Sequence, residues 1–162
     1  MKTINAFIFA LAAAMLVLPA LPVAAQSASS PVALTGDVKA VKISKDADGK
    51  EHVELVEPGT IVPGDRLVFG TDYANRGTDA VTNFVVTNPL PSAVRLAPDA
   101  DPALDVSVDG GKTWGVLAAL TRTNSDGTSR PATHADVTHV RWVLASIAPG
   151  TSGRLTYPAI IR

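Results

Sequence analysis

Residues 62–75, VPGDRLVFGTDYAN, decide the fold class of this chain because they join a tight turn to a strand. Pro63, Gly64 and Asp65 form a Pro-Gly-Asp turn, in which proline presets φ and glycine can take a positive φ. Beyond the turn, one face of the alternating segment carries Leu67, Phe69, Thr71 and Tyr73. Side chains that alternate with a period of two are typical of a half-buried β-strand. These residues therefore predict a strand over 66–75.

The same alternation recurs along the chain, and from residue 37 onward no segment shows a convincing helical period. Residues 37–44 and 52–56 are typical of a hairpin, closed by the Asp-Gly turn in 46–49. Further strands are predicted at 81–88, 94–96, 104–108, 114–120, 139–144 and 155–161. Seven to nine short antiparallel strands in about 125 residues predict an all-β domain, either a sandwich or a barrel. The polar segment 121–136 has no apolar face, and we expect it to be a long loop.

Residues 1–25 have the three parts of a secretory signal peptide. A positive start at Lys2 is followed by the apolar run 4–18, and small residues end the segment. The apolar run is shorter than the roughly 20 residues that a membrane-spanning helix needs, and prolines interrupt its end. We therefore expect cleavage before residue 26 and no membrane span in the mature chain. Residues 26–36, rich in Ser, Ala and Pro, are predicted to form a flexible arm ahead of a single domain at 37–162.

The composition limits the cellular compartments and the classes of binding partner that we expect for this protein. The formal net charge is −1 and the chain has no cysteine. Because the chain lacks a basic surface that could follow a phosphate backbone, we expect no nucleic-acid partner. An exported domain without disulfides must be stabilised by its hydrophobic core, which suits a bacterial envelope. We therefore expect a bacterial protein that is periplasmic, or secreted to the cell surface.

Three successive motifs together resemble a known family. The turn and strand at 62–69 continue as the Asn-x-Gly turn of Asn75 and Gly77, and then as VTNFVVTNPLP at 81–91. This succession resembles the conserved repeat domain of unknown function found in bacterial surface and exported proteins. The resemblance covers residues 37–162 and includes a closing Ile-Ala-Pro-Gly turn. It implies an immunoglobulin-like β-sandwich with a structural or adhesive role, and it implies no catalytic residue.

One position departs from the family pattern. Asn88 stands where the family's Asp-Pro-Leu-Pro corner has aspartate, so its side-chain oxygen can cap the turn but brings no charge for calcium. Many relatives carry tandem copies, whereas this chain shows one. Apart from the resemblance, the other turn residues are expected to build a scaffold rather than to react: Asp65, Asn75, Gly77, Pro89 and Pro91.

Residues 107–114, SVDGGKTW, match the Asp-box pattern Ser-x-Asp-x-Gly-x-Thr-Trp known from sialidase-like propellers. A propeller needs at least four repeated blades, and this chain has one copy of the pattern. We therefore expect a β-hairpin turn built on Asp109 and Gly111. In this turn the Asp109 carboxylate accepts backbone amides and Trp114 packs against the sheet. Both Trp114 and Trp142 are expected in the core.

Several groups of side chains could be considered for metal binding, but each lacks part of the usual ligand set. His134, Asp136 and His139 would not share one face of an extended chain, and no cysteine could complete a site. Residues 46–51 lack the third acidic ligand and the distal glutamate of an EF-hand loop. A further acidic group is expected to be solvated: Asp99, Asp101 and Asp105. Because no Gly-x-Ser-x-Gly elbow occurs either, we expect no cofactor, no metal and no catalytic residue.

These observations predict a non-catalytic exported module with a structural or binding role in the cell envelope, where its partner is an envelope protein or a glycan. Two other functions stay open. One is a small glycan-binding or glycan-active protein that uses Trp114, Trp142 and the 121–136 loop. The other is a filament subunit that donates the arm at 26–36 as a strand to its neighbour, although this arm has few alternating large apolar residues.

Overall fold

A computed structural model describes residues 30–162, of which 54% lie in β-strands. The strands within this range are β1 (Val32–Lys45), β2 (Glu51–Val56), β3 (Arg66–Asn75), β4 (Val81–Pro89), β5 (Val94–Leu96), β6 (Asp105–Ser107), β7 (Gly115–Val116), β8 (Thr121–Thr123), β9 (Ser129–Pro131), β10 (His139–Ile147) and β11 (Ser152–Ile161). Two short 3-10 helices occupy Leu117–Ala119 and His134–Asp136. The predicted signal peptide at 1–25 and the start of the predicted arm lie outside the described residues.

The strands form two main sheets that face each other. The first sheet has the order β2-β1-β3-β11-β5 and the second has the order β4-β10-β6-β7, while β8 and β9 form a separate pair. Every pairing is antiparallel. The chain passes from one sheet to the other after β3, β4, β5 and β10. The predicted all-β class is therefore confirmed, with an arrangement like that of a β-sandwich.

The core lies between the inner faces of the two sheets. Leu67 on β3 and Tyr157 on β11 pack in one apolar cluster with Val140 on β10. The rings of Phe69 and Tyr157 are stacked at 5.0 Å, and Trp142 from the second sheet lies 6.2 Å from Tyr157. Burial raises the pKa of Tyr157 to about 12. The inward faces of β3, β10 and β11 are those that the period-two pattern predicts.

The first strand begins earlier than predicted, so the arm assigned to 26–36 is wrong over its last residues. β1 starts at Val32, and its residues 32–36 pair with residues 71–75 of β3. The Val32 side chain is buried, and the carbonyl of Pro31 accepts a hydrogen bond from the amide of Arg76. The small residues around this point hid the strand, because composition predicts a linker where backbone pairing and one buried valine are enough for a strand.

The predicted hairpin of β1 and β2 is present and projects beyond the rest of the first sheet. Along β1, the segment Ala40–Lys45 pairs with β2, whereas the segment Val32–Ala40 pairs with β3. Asp46 closes the hairpin, because its Oδ1 accepts the amides of Asp48 and Lys50, and Gly49 has a φ of 78°. The projecting part exposes three apolar side chains: Ile43, Val53 and Leu55. We call residues 40–56 the β1–β2 ribbon.

The polar segment 121–136 is not the long loop that the sequence predicts. β8 and β9 pair across it as a small hairpin, and a 3-10 helix follows at His134–Asp136. Arg130 donates two hydrogen bonds to the Asp136 carboxylate, which also accepts the amide and hydroxyl of Thr133. Both faces of this hairpin are polar and mostly exposed, so the segment has no apolar alternation to reveal its strands. Likewise, the strand predicted at 114–120 shortens to β7 and the first 3-10 helix.

Two asparagine side chains cross between the sheets. The Asn75 side chain, only 1% exposed, donates from Nδ2 to the carbonyls of Ile147 and Asp79 at 2.9 and 2.8 Å. Its Oδ1 accepts the amide of Gly77 at 3.0 Å. Asn88 on β4 donates to Thr71 Oγ1 on β3 at 2.7 Å, so the recorded contact of Asn88 crosses the core and is not the turn cap expected from its oxygen. Each side chain therefore connects the two sheets by a directional bond.

We predict that Asn75→Ala lowers the free energy of unfolding by about 2–4 kcal/mol, because it leaves the buried carbonyl of Ile147 and two part-buried backbone groups without their partners. Urea denaturation followed by circular dichroism measures this change. The exposed Asn124 supplies a matched control, and Asn124→Ala should cost less than about 1 kcal/mol because water can replace its hydrogen bonds. Equal effects of the two substitutions would contradict the role assigned to Asn75.

Candidate binding surface

The Asp-box-like segment forms a rigid turn between β6 and β7. The Asp109 carboxylate accepts the amides of Lys112 and Thr113 at 3.0 and 2.9 Å, and the Thr113 hydroxyl at 2.8 Å. The buried Ser107 hydroxyl donates to Asp109 Oδ1 and accepts the amide of Gly111 at 2.9 Å. Gly111 has a φ of 86°, a conformation that a side chain would strain. The local sequence therefore specifies the turn through one carboxylate, one hydroxyl and a glycine.

This network also determines the charge of Asp109. Hydrogen bonds from the Thr113 amide, the Ser107 hydroxyl and the Thr113 hydroxyl favour the ionised carboxylate. They hold the pKa of Asp109 well below its ordinary value of 3.8. The turn therefore keeps its acceptor, and its shape, at pH values where a free aspartate begins to take up a proton.

The turn places Trp114 on the outer face of the second sheet, so the prediction that this residue belongs to the core is wrong. The indole N–H donates to the carbonyl of Gly111 at 3.0 Å. The Arg141 guanidinium lies 4.3 Å from the centre of the Trp114 ring, and His139 meets the ring edge-on at 6.2 Å. Residues 139 and 141 point away from the core, because Val140 and Trp142 between them point into it. Trp142 is thus the core tryptophan and Trp114 the surface one.

Arg141 is held in place from a second side. Its Nε donates to Asp105 Oδ2 at 2.7 Å, and its Nη2 lies 2.5 Å from the same oxygen. A guanidinium over an indole contributes about 0.5–1 kcal/mol at an exposed site. Both contacts restrict the Arg141 side chain before any partner arrives. A restricted arginine loses less conformational entropy when it enters an interface.

Exposed apolar residues continue this face of the sheet. Val143 pairs directly with Val85 of β4, and these side chains are 56% and 49% exposed. Val116 pairs with Asp105 across β6 and β7 and is 41% exposed. Together with the cluster around the tryptophan they form a mixed apolar and charged patch. We call it the Trp114 surface: Val85, Asp105, Trp114, Val116, His139, Arg141 and Val143.

The turn residues identified in the sequence shape the backbone through hydrogen bonds, φ angles and close packing. Asp65 donates its amide to the carbonyl of Val62 and accepts the Val62 amide at 2.8 Å, while Gly64 has a φ of 96°. Gly77 is required by close packing, because a Cβ there would lie 2.8 Å from the ring of Pro31. Pro89 ends the edge strand β4, where a missing amide costs no ladder bond. Pro91 accepts the amide of Val94.

The side chains considered for metal binding do not converge. Within residues 30–162 no group of three or more His, Cys, Asp or Glu side chains is arranged to hold a metal ion. Asp136 is engaged by Arg130, and the carboxylate of Asp46 by its own hairpin and by His52. In the other acidic group, Asp99 pairs with Arg66, Asp105 with Arg141, and Asp101 accepts the amide of Ala103.

Sequence reasoning missed the part that Arg141 and His139 play beside Trp114. The available signal was the outward face of β10, on which residues 139, 141 and 143 alternate with the buried residues. That pattern identifies an outer face but does not say which strand lies beside it. The pairing of β10 with β6, and therefore with the Trp114 turn, depends on the order of strands in the sheet.

Comparisons with known proteins leave the chain without an assigned relative: no family model, no curated protein and no solved structure matches it. In the part of the chain that the structure describes, none of the helices is long and apolar enough to cross a membrane.

We predict that Asp109→Asn destabilises the protein most at neutral pH. The folded state depresses the pKa of Asp109, so the stabilisation from the charged carboxylate is present above the unfolded pKa, near 3.9. It is lost as the pH falls through the lower folded pKa. The difference in unfolding free energy between wild type and Asp109→Asn, measured in urea at pH 7, 4 and 2.5, should therefore shrink with acid. A difference that stays constant across this range would contradict the role of the charge.

Proposed function

We propose that this protein is a non-catalytic, exported module of the bacterial cell envelope that binds a partner through the Trp114 surface. The observation that carries the proposal is the Arg141 guanidinium, which lies 4.3 Å from the Trp114 ring on an outer sheet face. Tryptophan and arginine are the residues most enriched at the energetic centres of protein interfaces. A structural role in the envelope would use the same surface.

The surface has the composition of a protein interface. Its centre is aromatic and its margin contains three exposed valines and one ion pair. One face of the indole is already covered by Arg141, whereas a bound sugar would stack on an open aromatic face. This arrangement favours a protein partner over a glycan. Binding of a glycan through the same tryptophan remains the competing function.

A non-catalytic role is supported by the engagement of the acidic groups. Asp105 and Asp136 are each paired with an arginine, and Asp109 is saturated by hydrogen bonds from its own turn. A general base needs to be free to take a proton from a substrate. These three carboxylates are instead committed to holding the surface and its neighbouring hairpin in shape.

The proposal includes an immunoglobulin-like sandwich in the broad sense of that architecture. Two facing antiparallel sheets and repeated passages between them support it. The order of strands differs from the seven-strand immunoglobulin order, because the last strand, β11, pairs with β3 in the first sheet and not beside β10. The motifs at 62–91 support membership of the bacterial conserved repeat family, and the N-terminal 1–25 segment supports export.

A pair of matched valine substitutions tests the surface. Val143→Arg changes the Trp114 surface and Val53→Arg changes the β1–β2 ribbon, and both valines are exposed strand residues, at 56% and 67%. A partner identified by cross-linking and mass spectrometry from envelope extract should bind Val143→Arg at least tenfold more weakly, because the partner would cover an unpaired charge within the Trp114 surface, and tenfold corresponds to about 1.4 kcal/mol. Val53→Arg should bind it like wild type. Weaker binding by Val53→Arg and unchanged binding by Val143→Arg would show that the partner binds the β1–β2 ribbon instead.

The same purified protein distinguishes the competing functions. Glycan-array binding that disappears in Trp114→Ala, in a protein that keeps its circular dichroism, would favour the glycan-binding function. Turnover of glycans, esters or peptides in a broad substrate screen would overturn the non-catalytic assignment.

Export is tested with the full chain expressed in a bacterium. We predict that the protein is found outside the cytoplasm and that its mass corresponds to cleavage close to residue 26. Lys2→Glu together with Leu11→Arg, which disrupts the positive start and the apolar run, should retain the uncleaved chain in the cytoplasm. An uncleaved chain in the wild-type sample would overturn the assignment of a signal peptide.

A further inference from the structure

An apolar cavity of about 430 Å³, half open to solvent, lies at one end of the sandwich. β5 of the first sheet supplies Leu96, and β6 of the second sheet supplies Val106. The rest of the wall comes from the connections that cover this end: Pro98, Ala100, Asp101, Pro102, Leu104, Leu117, Ala118, Ala132, Thr133 and His134. The cavity therefore opens between the two sheets rather than on either outer face.

The floor of this cavity consists of core residues. Leu96, Leu104 and Val106 are 2%, 7% and 1% exposed, and all three belong to the main apolar cluster. These three side chains therefore present little surface to the space, and its accessible apolar wall comes from more exposed residues: Pro98, Pro102, Leu117, Ala118 and Ala132. Small-molecule sites are typically apolar clefts of roughly 300–1,000 Å³ with a few polar groups. The size and the lining are those of a ligand site.

The polar groups of the lining define the charge that the cavity accepts. They are Asp101, Thr133 and His134, and the lining residues include neither lysine nor arginine. Asp101 is held at the rim because its Oδ1 accepts the amide of Ala103 at 2.9 Å. One fixed carboxylate beside an apolar space attracts a cation and repels a carboxylate or phosphate. Asp101 therefore selects the head group, while the accessible prolines, alanines and Leu117 contact the apolar part.

We propose that this end cavity binds a small cationic amphiphile, an apolar ring or short alkyl chain that carries a protonated amine. The apolar part lies against Pro102, Leu117 and Ala132, above the core floor of the cavity, and the ammonium group lies beside Asp101. The inference is independent of the proposed function, since no residue of the Trp114 surface lines the cavity and neither export nor a protein partner is needed for it.

Fluorescence of N-phenyl-1-naphthylamine, a neutral apolar dye, tests the cavity in the purified mature protein. We expect the wild-type protein to increase the fluorescence of the dye until the site is saturated. Two neighbouring exposed alanines of the first 3-10 helix supply a matched pair, because Ala118 lines the cavity and Ala119 does not. Ala118→Trp should weaken dye binding at least tenfold, whereas Ala119→Trp should change it less than twofold. No saturable binding, or equal loss in both variants, would overturn the cavity as a site.

Displacement of the dye then tests the head group. Octylamine, octanol and octanoate share a chain and differ in charge, and we expect affinity to fall in that order. Asp101→Asn keeps the oxygen that accepts the Ala103 amide but removes the charge, so it should lower octylamine affinity three- to tenfold and leave octanol unchanged. Equal displacement by all three compounds, or tighter binding of octanoate, would overturn the cationic class.

A second measurement keeps the proposal falsifiable if Ala118→Trp does not fold. In two-dimensional NMR spectra of the wild-type protein, octylamine should shift the backbone amides of residues 96–106, 117–118 and 132–134. Amides of the β1–β2 ribbon and of the part of the Trp114 surface carried by Val85, Trp114, His139, Arg141 and Val143 should keep their positions. Shifts concentrated on either of those surfaces would place the amphiphile elsewhere and overturn the site.

Discussion

The buried amide of Asn75 is the contact on which the two-sheet arrangement depends most directly. A chain without cysteine holds two facing sheets together by apolar packing, which is strong but does not by itself determine their relative position. Asn75 adds direction, because its side chain joins the end of β3 to the end of β10 through the carbonyl of Ile147. Its own backbone also pairs with residues 150 and 151 at the passage into β11. One residue thus aligns three strands, β3, β10 and β11, at one end of the core.

The position of β10 carries that alignment to the Trp114 surface. β10 pairs with β4 on one side and with β6 on the other, so its outward residues decide what stands beside the Trp114 turn. Asp109 and Ser107 specify the turn locally. The turn alone, however, does not give Trp114 its neighbours on the sheet. Arg141 and Asp105 become neighbours of Trp114 through the strand order. The surface is therefore a local motif completed by tertiary structure.

A strand can be predicted from this sequence where large apolar side chains mark its buried face. β3, β10 and β11 were predictable because large residues such as Phe69, Trp142 and Tyr157 alternate there with polar ones. The beginning of β1 and the β8–β9 hairpin were not, since backbone pairing stabilises strands whose side chains are small or solvated. The wrong prediction that Trp114 lies in the core has a related cause. Hydrophobicity favours burial of an indole, whereas a cation above the ring and a backbone acceptor for its N–H allow it to lie at the surface.

The end cavity follows from the lengths of the strands. β5 has three residues and β7 has two, so at this end both sheets finish in strands too short to close the gap between them. The connection at 97–104 and the first 3-10 helix cover the opening instead, and they bring prolines and alanines where a longer strand would bring larger side chains. These residues form the accessible wall of a half-open cavity, and core leucines and a valine lie beneath it. A ligand of matching shape that enters this cavity removes its apolar wall from water, which favours binding. A short edge strand is thus a simple route from a sandwich core to a binding site.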